Sequence, residues 1–237
     1  MSLITVERDG TVAVIRLNRD EKLNAISTAM ERELSDALIS DDVRTSRAVV
    51  IAGTGRAFSA GADITEFADR DPEAILRYYR ETGNVYEEFA ALPQPTLAAI
   101  HGYCLGGGLE LALAADFRIA DESAVLGFPE VGLGILPSSG GTARATRLLG
   151  AAQAKRLILL GDRVSAQEAL AVGLVTEVVA DAAARALELA HRMAEMPPAA
   201  LAVAKAAINT AAESSHDAAL LIERLGYAML SQIPPPS

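Results

Sequence analysis

His101-Gly-Tyr-Cys-Leu-Gly-Gly-Gly-Leu-Glu110-Leu-Ala-Leu113 sets a carboxylate into an apolar helix that opens on three consecutive glycines. Leu109, Leu111, Ala112, Leu113, Ala114 and Ala115 leave that helix little polar face. Burying an unpaired charge costs several kcal/mol or drives the pKa upward, so Glu110 needs a partner or a task. Downstream, Glu130 sits in Gly127-Phe-Pro-Glu130-Val-Gly-Leu-Gly134, again apolar and glycine-rich. Two such groups brought together make an acid/base pair. Each also has an ordinary reading: Glu110 as a carboxylate bonded to a nearby arginine, Glu130 as a loop residue.

Outward from this stretch, strand and helix patterns alternate. Apolar or alternating runs at 3–8, 12–18, 47–52, 96–101, 116–120 and 174–179 read as strands. Helical spacing predicts helices over 27–40, 73–91, 106–115, 140–149, 151–160, 166–171, 181–195 and 198–212. Interleaving of this kind defines an α/β class. From about residue 181 the chain turns alanine-rich: Asp181 is placed to cap one helix, and Pro197-Pro198 breaks it before the next. Residues 1–194 read as a core and 195–237 as a helical region. Its Leu220, Leu221, Ile222, Leu225 and Leu230 point to packing against another surface and so to self-association.

With 237 residues, 51% of them apolar, the chain can bury a sizeable core. A formal charge of −10 disfavours a nucleic-acid partner, which needs a basic stripe. It leaves room for an anionic small ligand held by local N–H groups and lysines. Cys104 is the sole cysteine, and His101, His191 and His216 lie far apart, which supports neither a disulfide framework nor a zinc cluster. The N-terminus opens directly on strand pattern at Ile4-Thr-Val6, without the marks of a signal peptide, and no apolar run reaches the ~18 residues of a membrane span. A cytoplasmic protein with no membrane partner is expected. The closing Pro-Pro-Pro-Ser237 is the only low-complexity feature.

Upstream, Ile51-Ala-Gly-Thr-Gly-Arg-Ala-Phe58-Ser-Ala-Gly61-Ala62-Asp63-Ile64 reads as a strand, a glycine turn and a small-residue loop with Asp63 placed to cap the succeeding segment. Small residues let a ligand approach the backbone, and a helix start presents free N–H groups, although such a loop alone is also an ordinary tight turn. Neither it nor Gly106-Gly107-Gly108 has the spacing of a dinucleotide or P-loop motif. Taken in order, Ala57–Asp63, His101–Glu110, and Phe128–Pro137 with Gly140-Gly-Thr142 resemble the enoyl-CoA hydratase/isomerase (crotonase) superfamily, specifically the enoyl-CoA hydratases. Leu17–Ala25 near the start, and Leu160–Ala169 with Gly173-Leu-Val175 later, extend the resemblance over nearly the whole chain.

The resemblance implies ββα repeats wound into a superhelix, with a C-terminal helical region that builds trimers, often stacked as hexamers. It implies an acyl-CoA thioester ligand, with coenzyme A as part of the substrate and no metal or redox cofactor. The family's oxyanion hole carries over to the backbone N–H groups of Ala62 and Gly107. Glu110 takes the role of activating water and Glu130 that of delivering a proton to the α-carbon. Contacts to the CoA thioester fall to Lys22, Leu23 and Ala25 from the first motif, and to Ala60, Asp63 and Ile64 from the second. Gly106, Pro129 and Ser138 complete that set. Hydration of a trans-2-enoyl-CoA, as in fatty-acid β-oxidation, is the activity the resemblance implies. Double-bond isomerisation, relying mainly on Glu130, is an alternative, as is a non-catalytic acyl-CoA-binding protein. Two costly buried acids count against the latter, and the acidic charge counts against an RNA-binding role.

Some positions depart from the family pattern. Ser138 stands where many relatives have Gly, Thr65 where some carry Lys, and His101 where relatives often have Asn. The family commonly runs some 20–25 residues beyond Ser237 in a closing helix, so the adenine and 3′-phosphate contacts are open. Acyl chain length depends on several loops, among them 65–90. His101 reads as a turn or core residue, Cys104 as packing, and Asp116 as a hydrogen-bonding group at a helix end; Arg144 and Arg147 pair either with acids or with a neighbouring subunit.

Overall fold

The computed structural model describes residues 2–66, 71, 73, 74, 76 and 84–233. The first strands, β1 (Ile4–Asp9) and β2 (Val12–Leu17), form an antiparallel hairpin. Two short helices follow, α1 (Thr28–Leu38) and α2 (Asp41–Arg44), each capped by a serine: Ser27 accepts from the Met30 N–H and Ser40 from the Val43 N–H. Strand β3 (Ala48–Gly53) is buried at every position, as its unbroken apolar run requires of a strand covered on both faces.

From β3 onward the chain repeats one unit. A strand enters a six-stranded sheet, the next enters a four-stranded sheet, and a helix follows. The pairs are β3 with β4 (Ala57–Ser59), β5 (Thr96–Ile100) with β6 (Tyr103–Leu105), and β7 (Phe117–Asp121) with β8 (Val125–Gly127). Among the described residues the helical parts are α3 (Val85–Ala90), α4 (Gly107–Ala114) and α5 (Gly141–Leu159). Then come β9 (Arg163–Ser165), α6 (Ala166–Ala171), β10 (Glu177–Val179), α7 (Ala182–Ala194), α8 (Pro198–Ala211) and α9 (His216–Leu230). The larger sheet runs β1-β2-β3-β5-β7-β10, parallel from β2 onward, and the smaller β4-β6-β8-β9, parallel except at β9. This is the ββα winding expected from the sequence.

Alternation along the strands divides the core. Ala13, Ile15 and Leu17 of β2 join the main core with α1, α3 and α4, whereas Val12 and Val14 face a second cluster. That cluster is closed by α7, whose Ala182, Ala186, Ala190 and Ala194 form a buried stripe four residues apart. Small side chains at that spacing let the helix lie close to the sheet. Asp181 caps α7, accepting from the Ala184 N–H at 2.9 Å.

Several boundaries differ from the sequence reading. The strand placed at 174–179 is confined to Glu177–Val179, because Leu174 N–H turns back to the Ala169 carbonyl and closes α6. The helices expected at 140–149 and 151–160 are one run broken at Gly150, whose φ of 75° a helix cannot hold. Of the helix placed at 73–91, much lies outside the described residues. Four strands, β4, β6, β8 and β9, went unread at three residues each, too short to show alternation. Helix α9 also extends the helical reading past 212.

Candidate active site

The site is built at one end of the smaller sheet. Ala62 follows β4, Gly107 follows β6 and Glu130 follows β8, three adjacent parallel strands. Their chain continuations therefore emerge side by side, the place where open parallel sheets commonly bind ligands.

Ile26 forms a parallel bridge to Ala62, in which Ile26 N–H donates to the Gly61 carbonyl and Asp63 N–H to the Ile26 carbonyl, both at 2.8 Å. This pattern uses the amides on either side of Ala62 and turns its own N–H the other way. Gly107 begins α4, where first-turn N–H groups lack helical partners. Among the described residues neither N–H has a hydrogen-bond partner. The two lie close: a β-carbon on Gly107 would stand 3.3 Å from the Ala62 nitrogen, and one on Gly61 would stand 3.6 Å from the Gly107 nitrogen. Gly106 supports the turn with φ 50°, ψ −125°.

Glu110, one turn into α4, is 4% exposed. Its Oε1 accepts the N–H groups of Ser139 at 2.7 Å and Gly141 at 2.8 Å. A side chain on Gly141 would stand 2.8 Å from that same Oε1, so glycine is required there for the carboxylate to fit. Glu130 opens a short 3-10 turn, Glu130–Leu133, and is 8% exposed. Its Oε1 lies against Gly106, 2.9 Å from where a β-carbon would be, and its buried Oε2 has no partner among the described residues.

Burial raises both carboxyls, by different balances. For Glu110 desolvation is opposed by the Gly141 and Ser139 N–H groups and by the Arg144 charge. For Glu130 desolvation dominates; its own N–H opposes it, the Glu110 charge adds to it, and the group is pushed up to about 7. Both carboxyls are thus raised, but only Glu110 has two loop N–H donors and a cation that favour its ionised form.

The other expected contacts are distributed unevenly. Leu23 takes a left-handed conformation (φ 51°), and its carbonyl accepts the Ala60 N–H at 2.9 Å, which brings Leu23, Ala25 and Ala60 beside the Ala62 loop. Lys22 is exposed at the end of its turn and Ile64 is exposed after Asp63. Asp63 does cap the following turn, through Thr65 N–H and hydroxyl, but its other oxygen pairs with Arg19 at 2.8 Å. The Thr65 hydroxyl and Arg19 hold its carboxyl below the usual range. Its side chain is therefore already engaged. Pro129 precedes Glu130, half-buried, and Ser138 lies exposed in the loop that serves Glu110. Asp116, expected at a helix end, bonds the Thr96 N–H and hydroxyl and pairs with Lys205.

Two supports were not singled out by sequence reasoning. Buried Asn24 (φ 53°) donates to the carbonyls of Thr54 and Ala57 and accepts the Arg19 N–H, pinning the 19–25 segment to the Ala62 loop. Ser59 adds a bond to the Asn24 carbonyl at 2.8 Å. An asparagine in a short polar turn was the available signal. Among the described residues no three His, Cys, Asp or Glu side chains are grouped to hold a metal ion, and no helix is long and apolar enough to cross a membrane.

Two convergent N–H donors can hold an oxygen that gains negative charge, and the unequally furnished carboxyl pair can move protons beside it. Comparison with known proteins gives the family. The sequence model of the family described as Enoyl-CoA hydratase/isomerase matches residues 7–231. The 2,3-dehydroadipyl-CoA hydratase of Escherichia coli is 38% identical over 98% of this chain and 91% of its own length. The short-chain-enoyl-CoA hydratase of Clostridium acetobutylicum is 37% identical over 93% and 86%. The crystal structure of enoyl-CoA hydratase from Thermoplasma volcanium superposes with a TM-score of 0.91 at 37% identity, covering 98% of this chain and 93% of that one. The chain belongs to the enoyl-CoA hydratase/isomerase family and has the crotonase fold.

Proposed function

We propose that the protein reversibly adds water across the double bond of a trans-2-enoyl-CoA to give a 3-hydroxyacyl-CoA. The observation that carries this reading is the asymmetry of the two buried carboxyls: Glu110 Oε1 holds two backbone N–H groups while Glu130 Oε2 holds none. The thioester carbonyl oxygen lies between the N–H groups of Ala62 and Gly107, which stabilise the enolate as it forms. A water on Glu110 gives its oxygen to the β-carbon and a proton to the carboxylate. Glu130 gives its proton to the α-carbon, so H and OH are added and one proton remains to return from Glu110 to Glu130. The pair titrates as a coupled unit. Substrate contacts fall to Lys22, Leu23, Ala25, Ala60, the Asp63 backbone, Ile64, Gly106, Pro129 and Ser138. The chemistry calls for no cofactor beyond the coenzyme A of the substrate. Residues 195–237 form the associating region of a trimer or hexamer, and the enzyme works in the cytoplasm.

Relatives of nearly equal identity are named for different acyl groups, so identity alone does not choose the acyl chain. The test is loss of the conjugated-thioester absorbance of crotonyl-CoA and of a longer enoyl-CoA. Wild type is expected to hydrate at least one, and Glu110→Gln and Glu130→Gln each to fall by ~100-fold or more. A wild type that only shifts the double bond of a 3-enoyl-CoA, with Glu110→Gln unaffected, replaces hydration with isomerisation. One that binds acyl-CoA and turns over neither is a binding protein.

A further inference from the structure

Arg144 lies in the first turn of α5, where the helix field disfavours a cation, and no acidic residue shares that turn. Its side chain is 16% exposed and divides its guanidinium between two partners: Nη1 donates to the Ser139 carbonyl at 3.2 Å, and Nη2 pairs with Glu87 of α3 at 2.7 Å. The Glu87 side chain is 61% exposed, and a pair with one member in water adds little stability. A different consequence follows from where Arg144 grips. Ser139 is held at both ends, its N–H by Glu110 Oε1 and its carbonyl by Arg144. Gly140 between them has φ 103°, and a side chain there would run into the guanidinium; one on Gly141 would run into Glu110. The loop is thus clamped between a cation and a carboxylate, with no side chain to hold them apart.

We propose that Arg144 is a positioning residue for Glu110: by gripping the Ser139 carbonyl it keeps the Ser139 and Gly141 N–H groups aimed at Oε1. The inference rests on the hydratase reading for its effect on turnover, but not for its effect on the Glu110 carboxyl. The charged groups facing that carboxyl are Arg144 from α5, Glu130 from the turn after β8 and, behind Arg144, Glu87 from α3.

The test uses Arg144→Gln, Arg144→Lys and Glu87→Gln in the full-length protein, with hydration of crotonyl-CoA measured across pH. Infrared titration of the Glu110 carboxyl, assigned by difference against Glu110→Gln, supplies a readout that needs no turnover. Arg144→Gln is expected to lower kcat by ~30-fold with KM within about 3-fold, the signature of lost alignment. It also moves the acid limb and the infrared midpoint to higher pH, because the cation that favoured the carboxylate is gone. Arg144→Lys keeps the midpoint near wild type but recovers kcat only in part, since one ammonium does not reproduce the two-ended guanidinium contact. Glu87→Gln leaves the Ser139 contact in place and kcat within about 3-fold.

An unchanged kcat and midpoint in Arg144→Gln overturns the proposal, as does a raised KM with unchanged kcat, which marks a substrate contact instead. If Arg144→Gln does not fold, a folded Arg144→Lys with full kcat overturns it and one with reduced kcat supports it. An inert wild type removes the hydratase reading alone; an infrared midpoint that Arg144→Gln leaves unmoved then overturns the proposal, since the Glu110 carboxyl would not depend on Arg144.

Discussion

Glu130 combines burial with an oxygen that no described residue satisfies, and the cost can be read as a pH dependence. Its ordinary value of 4.5 rises to about 7 in the fold, so between those values the native state binds more protons than the unfolded chain. Stability contributed by this group is therefore present below about 4.5 and lost as pH rises through about 7. The full loss approaches ~3 kcal/mol. Urea denaturation of wild type and Glu130→Gln across this window checks it: the difference should favour the variant increasingly with pH and level off above 7. A flat difference would show that the carboxyl is solvated. Glu110 and Glu130 were legible in sequence because each carboxylate has an apolar neighbourhood. Arg144 was legible only as pairing with an acid or a neighbouring subunit: Ser139 is five residues away, but the acid, Glu87, comes from a distant segment that only the fold brings to it.

Among the elements, the segment between β2 and α1 meets the Ala62 loop through backbone bonds of Leu23 and Ile26, and Asn24 anchors it to the turn and strand that lead into that loop. The Asn24 amide satisfies two carbonyls, Thr54 and Ala57, and its oxygen takes the Arg19 N–H. Truncation leaves these groups buried or half-buried without partners, and the penalty per orphaned group is appreciable. Asn24→Ala is expected to cost ~2–4 kcal/mol in chemical denaturation and to raise KM for acyl-CoA, since Leu23 and Ala25 shift with it. A loss under 1 kcal/mol with unchanged KM would place the anchor elsewhere, in Ser59 or in the Arg19–Asp63 pair. The larger sheet was readable because β3 and β5 are continuous apolar runs covered on both faces. The smaller sheet was not, although it carries the site: strands of three residues present neither a period nor a long run. Pairing with neighbours, rather than local preference, makes them strands.

In the whole molecule the C-terminal helices pack on each other, Gly226 of α9 lying close to Val203 of α8. Lys205 and Arg147 tie this part to the body through Asp116 and Glu213. Leu221, Leu225, Tyr227 and Met229 nevertheless remain exposed in the single chain, more apolar surface than an isolated helix pair would gain from showing to water. Sedimentation velocity should find a trimer or hexamer, with Leu221→Asp and Leu225→Asp together shifting it toward smaller species. A monomeric wild type would remove the assembly. Wound architecture was legible only through the combined motifs, since the residues that meet in the site run from Lys22 to Gly141 and no single segment contains it. The placement of Ala62, Gly107 and Glu130 after three adjacent parallel strands has an evolutionary consequence. Neighbouring strands stand ~4.8 Å apart in any sheet, so the spacing of the reacting groups is inherited from backbone pairing rather than tuned by side chains. Loops that lie outside this sheet are then free to diverge without moving the three positions apart.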